Sequence, residues 1–148
     1  MAKFSFRLQN VLTIKRKFED QQKNQFMQAK RLLNQEEEIL HQMNQHRVII
    51  YEIAKRNRKS ALQVRQLLEN QAQVKYIEDQ IVTQQGEVER AVKRVAKEQE
   101  ILTRLMRERK TYEQLREREF EEYKLALQVE EVKEIDELTS YRYGQKEE

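Results

Sequence analysis

Two histidines, two carboxylate clusters and three serines are the residues of this chain whose types could do chemistry. His41 and His46 lie five apart, so on a helix they diverge by about 140°. That is not the i, i+4 pair a metal site uses, and both read as solvated or rim histidines. Glu36, Glu37 and Glu38, and the run Glu119 to Glu122, offer paired carboxylates for acid–base work. General acid catalysis needs a pocket that shifts a pKa, and charged faces of a long helix supply none. Ser5, Ser60 and Ser140 all lie outside a GxSxG context. Only two glycines exist, Gly86 and Gly144, so GxxxxGK[ST] and GxGxxG are both absent. With no cysteine, thiolate metal sites and cysteine nucleophiles are also excluded. The sequence therefore predicts no catalytic, cofactor-binding or metal-binding residue. Any nucleotide dependence must come from a partner.

The elements that carry these residues are helical. Of the 148 residues, 37% are charged and 38% hydrophobic, with no proline and a mean hydropathy of −1.01. Globular turns usually need Gly, Pro or Asn-Gly steps, and those are missing. Gln, Glu, Lys, Arg, Leu and Ala dominate, and they lose little side-chain freedom in a helix. Disorder is the competing reading at this charge, but disordered chains lack an apolar period, and this one has it.

From residue 60 onward the period is seven. Leu67, Val74, Ile81, Val88, Val95 and Leu102 form one row, and Ile77, Ala91, Leu105 and Tyr112 fill the companion position. Val92, Met106, Phe120 and Leu127 make a second track further on. A strict heptad keeps one stripe facing a partner helix through left-handed supercoiling. The first third is looser: Phe4, Leu8, Val11, Phe18, Leu32, Ile39, Met43, Ile50 and Ile53, with a neighbouring row Leu12, Phe26, Leu33 and Leu40. Gaps fall at Lys15, Gln22, Gln25 and Glu36.

The apolar-free run Lys55 to Ser60 is the best place to reverse direction, and Ser60-Ala61-Leu62-Gln63 matches a capping box. Charge argues the same way. Residues 1–68 hold 14 Lys/Arg against 6 Asp/Glu, a net of +8, and residues 69–148 hold 15 against 20, a net of −5. Oppositely charged arms laid side by side gain flanking ion pairs that select orientation. The predicted fold is all-α, a long antiparallel two-helix coiled-coil hairpin forming an elongated rod. Residues 1–148 make one domain, with helix 1 about 4–56, a connector about 57–70, helix 2 about 61–139 and a frayed tail 140–148.

No apolar h-region opens the sequence and no run spans a bilayer, which predicts a cytoplasmic protein. Basic clusters at Lys15 to Lys17, Lys30-Arg31 and Arg56 to Lys59 are spread out and interrupted by Phe18, Glu19 and Asp20. That pattern is unlike a basic zipper that reads DNA, so no nucleic-acid partner is expected. Weak attraction to anionic lipid headgroups, and hence peripheral membrane association, fits better. Phe4 and Phe6, like Tyr141 and Tyr143, cannot both face one partner helix at a spacing of two. Most of the eleven aromatics read as seam filling, while those near the termini and the bend suit protein docking.

The opening Phe4-x-Phe6-x-Leu8-x-x-Val11-Leu12-x-x-Lys15, followed by Glu19, resembles the start of the flagellar export protein FliJ family. Tyr76-Ile77 resembles the aromatic-hydrophobic step that follows the bend there. Tyr112-Glu113-Gln114-Leu115-Arg116 and Glu130 to Glu137 resemble its closing segment, with Tyr112 where some members carry Trp. The likeness spans essentially the whole length. It implies an antiparallel coiled coil similar to the stalk of rotary ATPases, a monomer in isolation, and a part in flagellum assembly, which family descriptions group with chemotaxis. It further implies three partners in type III secretion: a hexameric export ATPase, an export-gate membrane protein and export chaperones. On that resemblance Phe4, Phe6, Leu8, Val11, Leu12, Ile135, Leu138 and Tyr141 are the ATPase end. Ile50, Tyr51 and Tyr76 are the gate-facing surface. The equivalent stalk of an injectisome, and a generic tethering coiled coil that homodimerises, are the alternatives.

Overall fold

The computed structural model describes residues 3–59 and 63–146, and it is an all-α helical hairpin. Helix α1 runs Gln9–Lys59 and helix α2 runs Val64–Lys146, with no strand among the described residues. The missing prolines and the two glycines leave nothing to interrupt either helix. Contacts divide the chain into two units, Met1–Asp20 with Arg104–Glu148, and Gln21–Thr103.

In the second unit the helices pair antiparallel. Cross-helix bonds join Gln22 to Glu98, Glu36 to Gln84 and Tyr51 to Glu78, so partner numbers fall as α1 numbers rise. Ala29, Ala54, Ile77, Ile81 and Ala91 are its buried apolar residues. Phe26, Leu33 and Leu40 are half-buried beside them, as are Val74, Val88, Val95 and Leu102. The α2 heptad is thus the packed stripe from Val74 onward, while Leu67, its expected first member, is exposed. On α1 both rows contribute, since Leu32, Met43 and Ile50 are also half-buried, while Ile39 and Ile53 are exposed.

Around the bend the helices reach further than the sequence pattern indicates. Residues 57–59 close α1, where Arg56, Arg58 and Lys59 stand against the negative end of the helix. Ser60, Ala61 and Leu62 of the expected capping box lie outside the described residues. Gln63 sits just before α2, and its carbonyl accepts the Gln66 amide at 3.0 Å and the Leu67 amide at 3.4 Å. The stretch expected to fray past residue 139 is helical as far as Lys146.

The first unit differs from expectation at its start. Helix α1 begins at Gln9, not at residue 4, and residues 3–6 have no regular structure before a turn at Arg7-Leu8. The Gln9 amide donates to the Phe6 carbonyl at 3.1 Å, and the Leu12 amide to that of Leu8 at 2.9 Å. The reason is packing. On a helix Phe4 and Phe6 would diverge, whereas the non-helical segment lets both pack. Phe6 is buried, and Phe4 packs against Phe120 and Tyr123 with ring centroids 5.1 and 5.5 Å away.

Candidate partner-binding surfaces

Within the first unit the strap of residues 3–8 leads to Leu12, the largest fully enclosed side chain, at 0% exposure. One turn of heptad further, α1 presents Lys15 and Glu19 to α2. Lys15 Nζ bonds Glu108 at 2.9 Å and lies 6.0 Å from the Tyr112 ring centroid. Glu19 accepts from Arg109 Nε, with the two side chains only 4% and 20% exposed. Arg109 also donates to Glu113 at 2.8 Å, and Arg16 reaches Glu113 from α1 at 3.3 Å.

These contacts shift the protonation of Arg109 and Glu113. The bond to Glu19 raises the Arg109 pKa against the opposing effect of burial, so the guanidinium stays charged. For Glu113 burial pushes the pKa up, but bonds from Arg109 and Arg16 outweigh it and hold the carboxyl below its ordinary 4.5. A depressed carboxyl stabilises the fold above its unfolded pKa, and that stabilisation is lost as pH falls through the folded value. Melting temperature measured between pH 6 and pH 3 should therefore drop more in the native chain than in Glu113→Gln.

Past the aromatic cluster, α2 has no packing partner among the described residues. Leu127 is its last half-buried residue, and every residue from Gln128 to Lys146 is exposed. Leu125, Val129 and Val132 follow a 4, 3 spacing along one face, all of them exposed. Ile135, Leu138 and Tyr141 then follow at intervals of three, each falling about 60° behind the last. Ile135 is 61% and Tyr141 66% exposed.

The sequence-derived ATPase-end residues therefore divide. Phe6 and Leu12 lie inside, Phe4, Leu8 and Val11 are half-buried, and Ile135, Leu138 and Tyr141 are exposed. The two groups do not merge into one patch: Phe4 meets α2 at Phe120 and Tyr123, at least ~18 Å along the helix axis from Ile135 at 1.5 Å per residue. In the second unit Ile50 is half-buried, while Tyr51 and Tyr76 are exposed. Tyr51 donates to Glu78, and that bond raises the tyrosine pKa. Tyr76 accepts from Gln80 at 2.8 Å on its own helix.

The residues first considered for chemistry take structural places. His41 bonds Gln45 one turn on. Glu36 lies in the seam, Glu37 and Glu38 are exposed, and Glu121 pairs with Lys124. No group of three or more His, Cys, Asp or Glu among the described residues could hold a metal ion. No helix there is long and apolar enough to cross a membrane.

Reasoning from apolar periodicity missed the polar seam. Lys15, Gln22 and Glu36, which interrupt the stripe, are all cross-helix partners. Their signal was their own spacing, since 15, 22 and 36 lie at multiples of seven from one another.

A family model described as "Flagellar FliJ protein" matches residues 4–148. The chain belongs to the FliJ family. No curated protein and no solved structure matches it. Membership makes it a structural protein associated with flagellar protein export, a type III secretion process. The coiled-coil hairpin is the fold expected of such a component.

Proposed function

We propose that this FliJ-family chain is a stalk that links the export ATPase ring to the membrane export gate and assists delivery of substrates and their chaperones. In this reading it sits in the cytoplasm, peripherally attached to the membrane at the base of the flagellum, and hydrolyses nothing itself. The observation that carries the reading is the unpaired stretch of α2, where Ile135, Leu138 and Tyr141 stand exposed in a chain that matches its family from residue 4 to 148. Contiguous exposed apolar side chains on a helix mark a protein-docking surface, and aromatic anchors such as Tyr141 tend to dominate binding energy. The ATPase end comprises two separate parts, these three residues and the Phe4, Leu8 and Val11 surface that covers the buried Phe6 and Leu12. The gate surface comprises Ile50, Tyr51 and Tyr76.

Capture on immobilised export ATPase tests the assignment. The Ile135→Ala/Leu138→Ala/Tyr141→Ala variant should bind at least about tenfold more weakly, since a loss of ~1.4 kcal/mol already gives that factor. Tyr76→Ala should bind the ATPase as the native chain does and lose affinity for the gate protein's cytoplasmic part. Unchanged ATPase capture by both the triple variant and Phe4→Ala/Leu8→Ala would refute the assignment.

A further inference from the structure

The two helices of the second unit carry the same cassette. On α1 it reads Gln22, Phe26, Ala29, Leu33, Glu36, Ile39 and Leu40; on α2 it reads Gln84, Val88, Ala91, Val95, Glu98, Ile101 and Leu102. Each residue of the second set lies 62 beyond its counterpart, as 84 does from 22 and 98 from 36. In both sets glutamine, alanine and glutamate follow one another at intervals of seven. Phe26, Leu33 and Leu40 keep the companion position on α1, and Val88, Val95 and Leu102 keep it on α2.

Packed antiparallel, the cassettes mate head to tail. Gln22 Nε2 donates to the Glu98 backbone carbonyl at 3.0 Å and to the Glu98 carboxylate. Gln84 Nε2 donates to the Glu36 backbone carbonyl, also at 3.0 Å, and to the Glu36 carboxylate. Both pairs of residue numbers add to 120, as do 29 and 91, and both alanines at that midpoint are buried. The arrangement has local twofold symmetry about Ala29 and Ala91, with one amide–carboxylate clasp a heptad to either side.

We propose that Gln22–Glu98 and Gln84–Glu36, set about Ala29 and Ala91, form a register clasp that holds these stretches of α1 and α2 in one antiparallel alignment. The apolar positions alone cannot do this, because a heptad seam slipped by seven residues still meets apolar with apolar. The clasp removes that degeneracy. A slip of one heptad puts Glu36 opposite Ile77 or Ala91, and Gln84 opposite Ala29 or Met43, leaving polar groups in the seam without their partners. A polar pair at a seam position specifies register while costing stability relative to leucine.

The chain has no cysteine, so nitroxide labels on Arg31→Cys and Lys93→Cys, both at exposed positions, report alone. Their separation is read by pulsed dipolar spectroscopy in an excess of unlabelled chain, which isolates the intramolecular distance. The native sequence should give one narrow distance. Gln22→Leu/Glu36→Leu/Gln84→Leu/Glu98→Leu should melt higher and yet show a second population, displaced by about 10 Å along the axis at 1.5 Å per residue. Gln22→Glu alone opposes two carboxylates and should melt lower. Gln22→Glu/Glu98→Gln should recover both the melting temperature and the single distance, because it gives this clasp the polarity of the other. A single unshifted distance in the tetraleucine variant overturns the proposal, as does failure of the exchanged pair to recover what Gln22→Glu loses.

Discussion

Leu12→Ala should destabilise the chain by about 3 kcal/mol, within the ~2–5 kcal/mol usual for emptying a fully packed leucine site. Leu12 is fully enclosed on α1, and Phe6 is buried in the same unit. Truncation leaves a void in the unit that also holds the strap. The expected secondary effect is release of Phe4 from Phe120 and Tyr123. Chemical denaturation monitored by circular dichroism gives the first number, and the change in tyrosine fluorescence that a Tyr123→Phe background abolishes reports the second. Phe18→Ala is the control: Phe18 is 48% exposed and should cost well under half as much, because little area leaves water there.

Arg109→Ala should cost about 2–3 kcal/mol. Removing one member of a buried pair in a dry interior costs ~3–5 kcal/mol, but a two-helix seam lies close to water, and hydrogen bonds to charged groups contribute ~1.5–3 kcal/mol. The loss comes mainly from Glu19, whose carboxylate would stay enclosed without the guanidinium now bonded to it. Glu113 loses its stronger partner as well. The informative comparison is Glu19→Leu/Arg109→Leu. Replacing both charges with packed apolar groups should be neutral or stabilising, so the order of stability is double variant at or above native, and native well above Arg109→Ala. Exposed pairs such as Arg65–Glu69 should change stability by no more than ~0.5 kcal/mol when broken.

The hairpin was legible in the sequence because its cause is periodic. A row at Val74, Ile81, Val88, Val95 and Leu102 admits few arrangements other than a seam, and the structure packs that row. The charge contrast between the two halves also surfaced, in cross-helix bridges such as Lys15–Glu108 and Arg16–Glu113. What stayed hidden was not periodic in hydrophobicity. Gln22, Glu36 and Lys15 looked like breaks because hydropathy scores a polar residue as outside, whereas a long amide or ammonium can span a two-helix seam and bond across it. Glu19 and Arg109 were invisible for the same reason.

The strap was obscured by a different ambiguity. Phe4-x-Phe6 with the apolar spacing that follows is compatible with a helix starting at residue 4, whereas the structure has a non-helical segment with Phe4 against Phe120 and Tyr123 of α2. At the other terminus, Ile135, Leu138 and Tyr141 were assigned to the ATPase end by resemblance, and the structure leaves them exposed. Their exposure follows from where the strap ends on α2, which no local pattern encodes.

Every pairing described depends on one chain supplying both helices, and sedimentation equilibrium over a wide concentration range tests that directly. Self-pairing predicts a single species of 18.1 kDa at every concentration. A mass climbing toward twice that value on concentration, with helicity lost on dilution, would show that the seam forms between copies and would contradict the account.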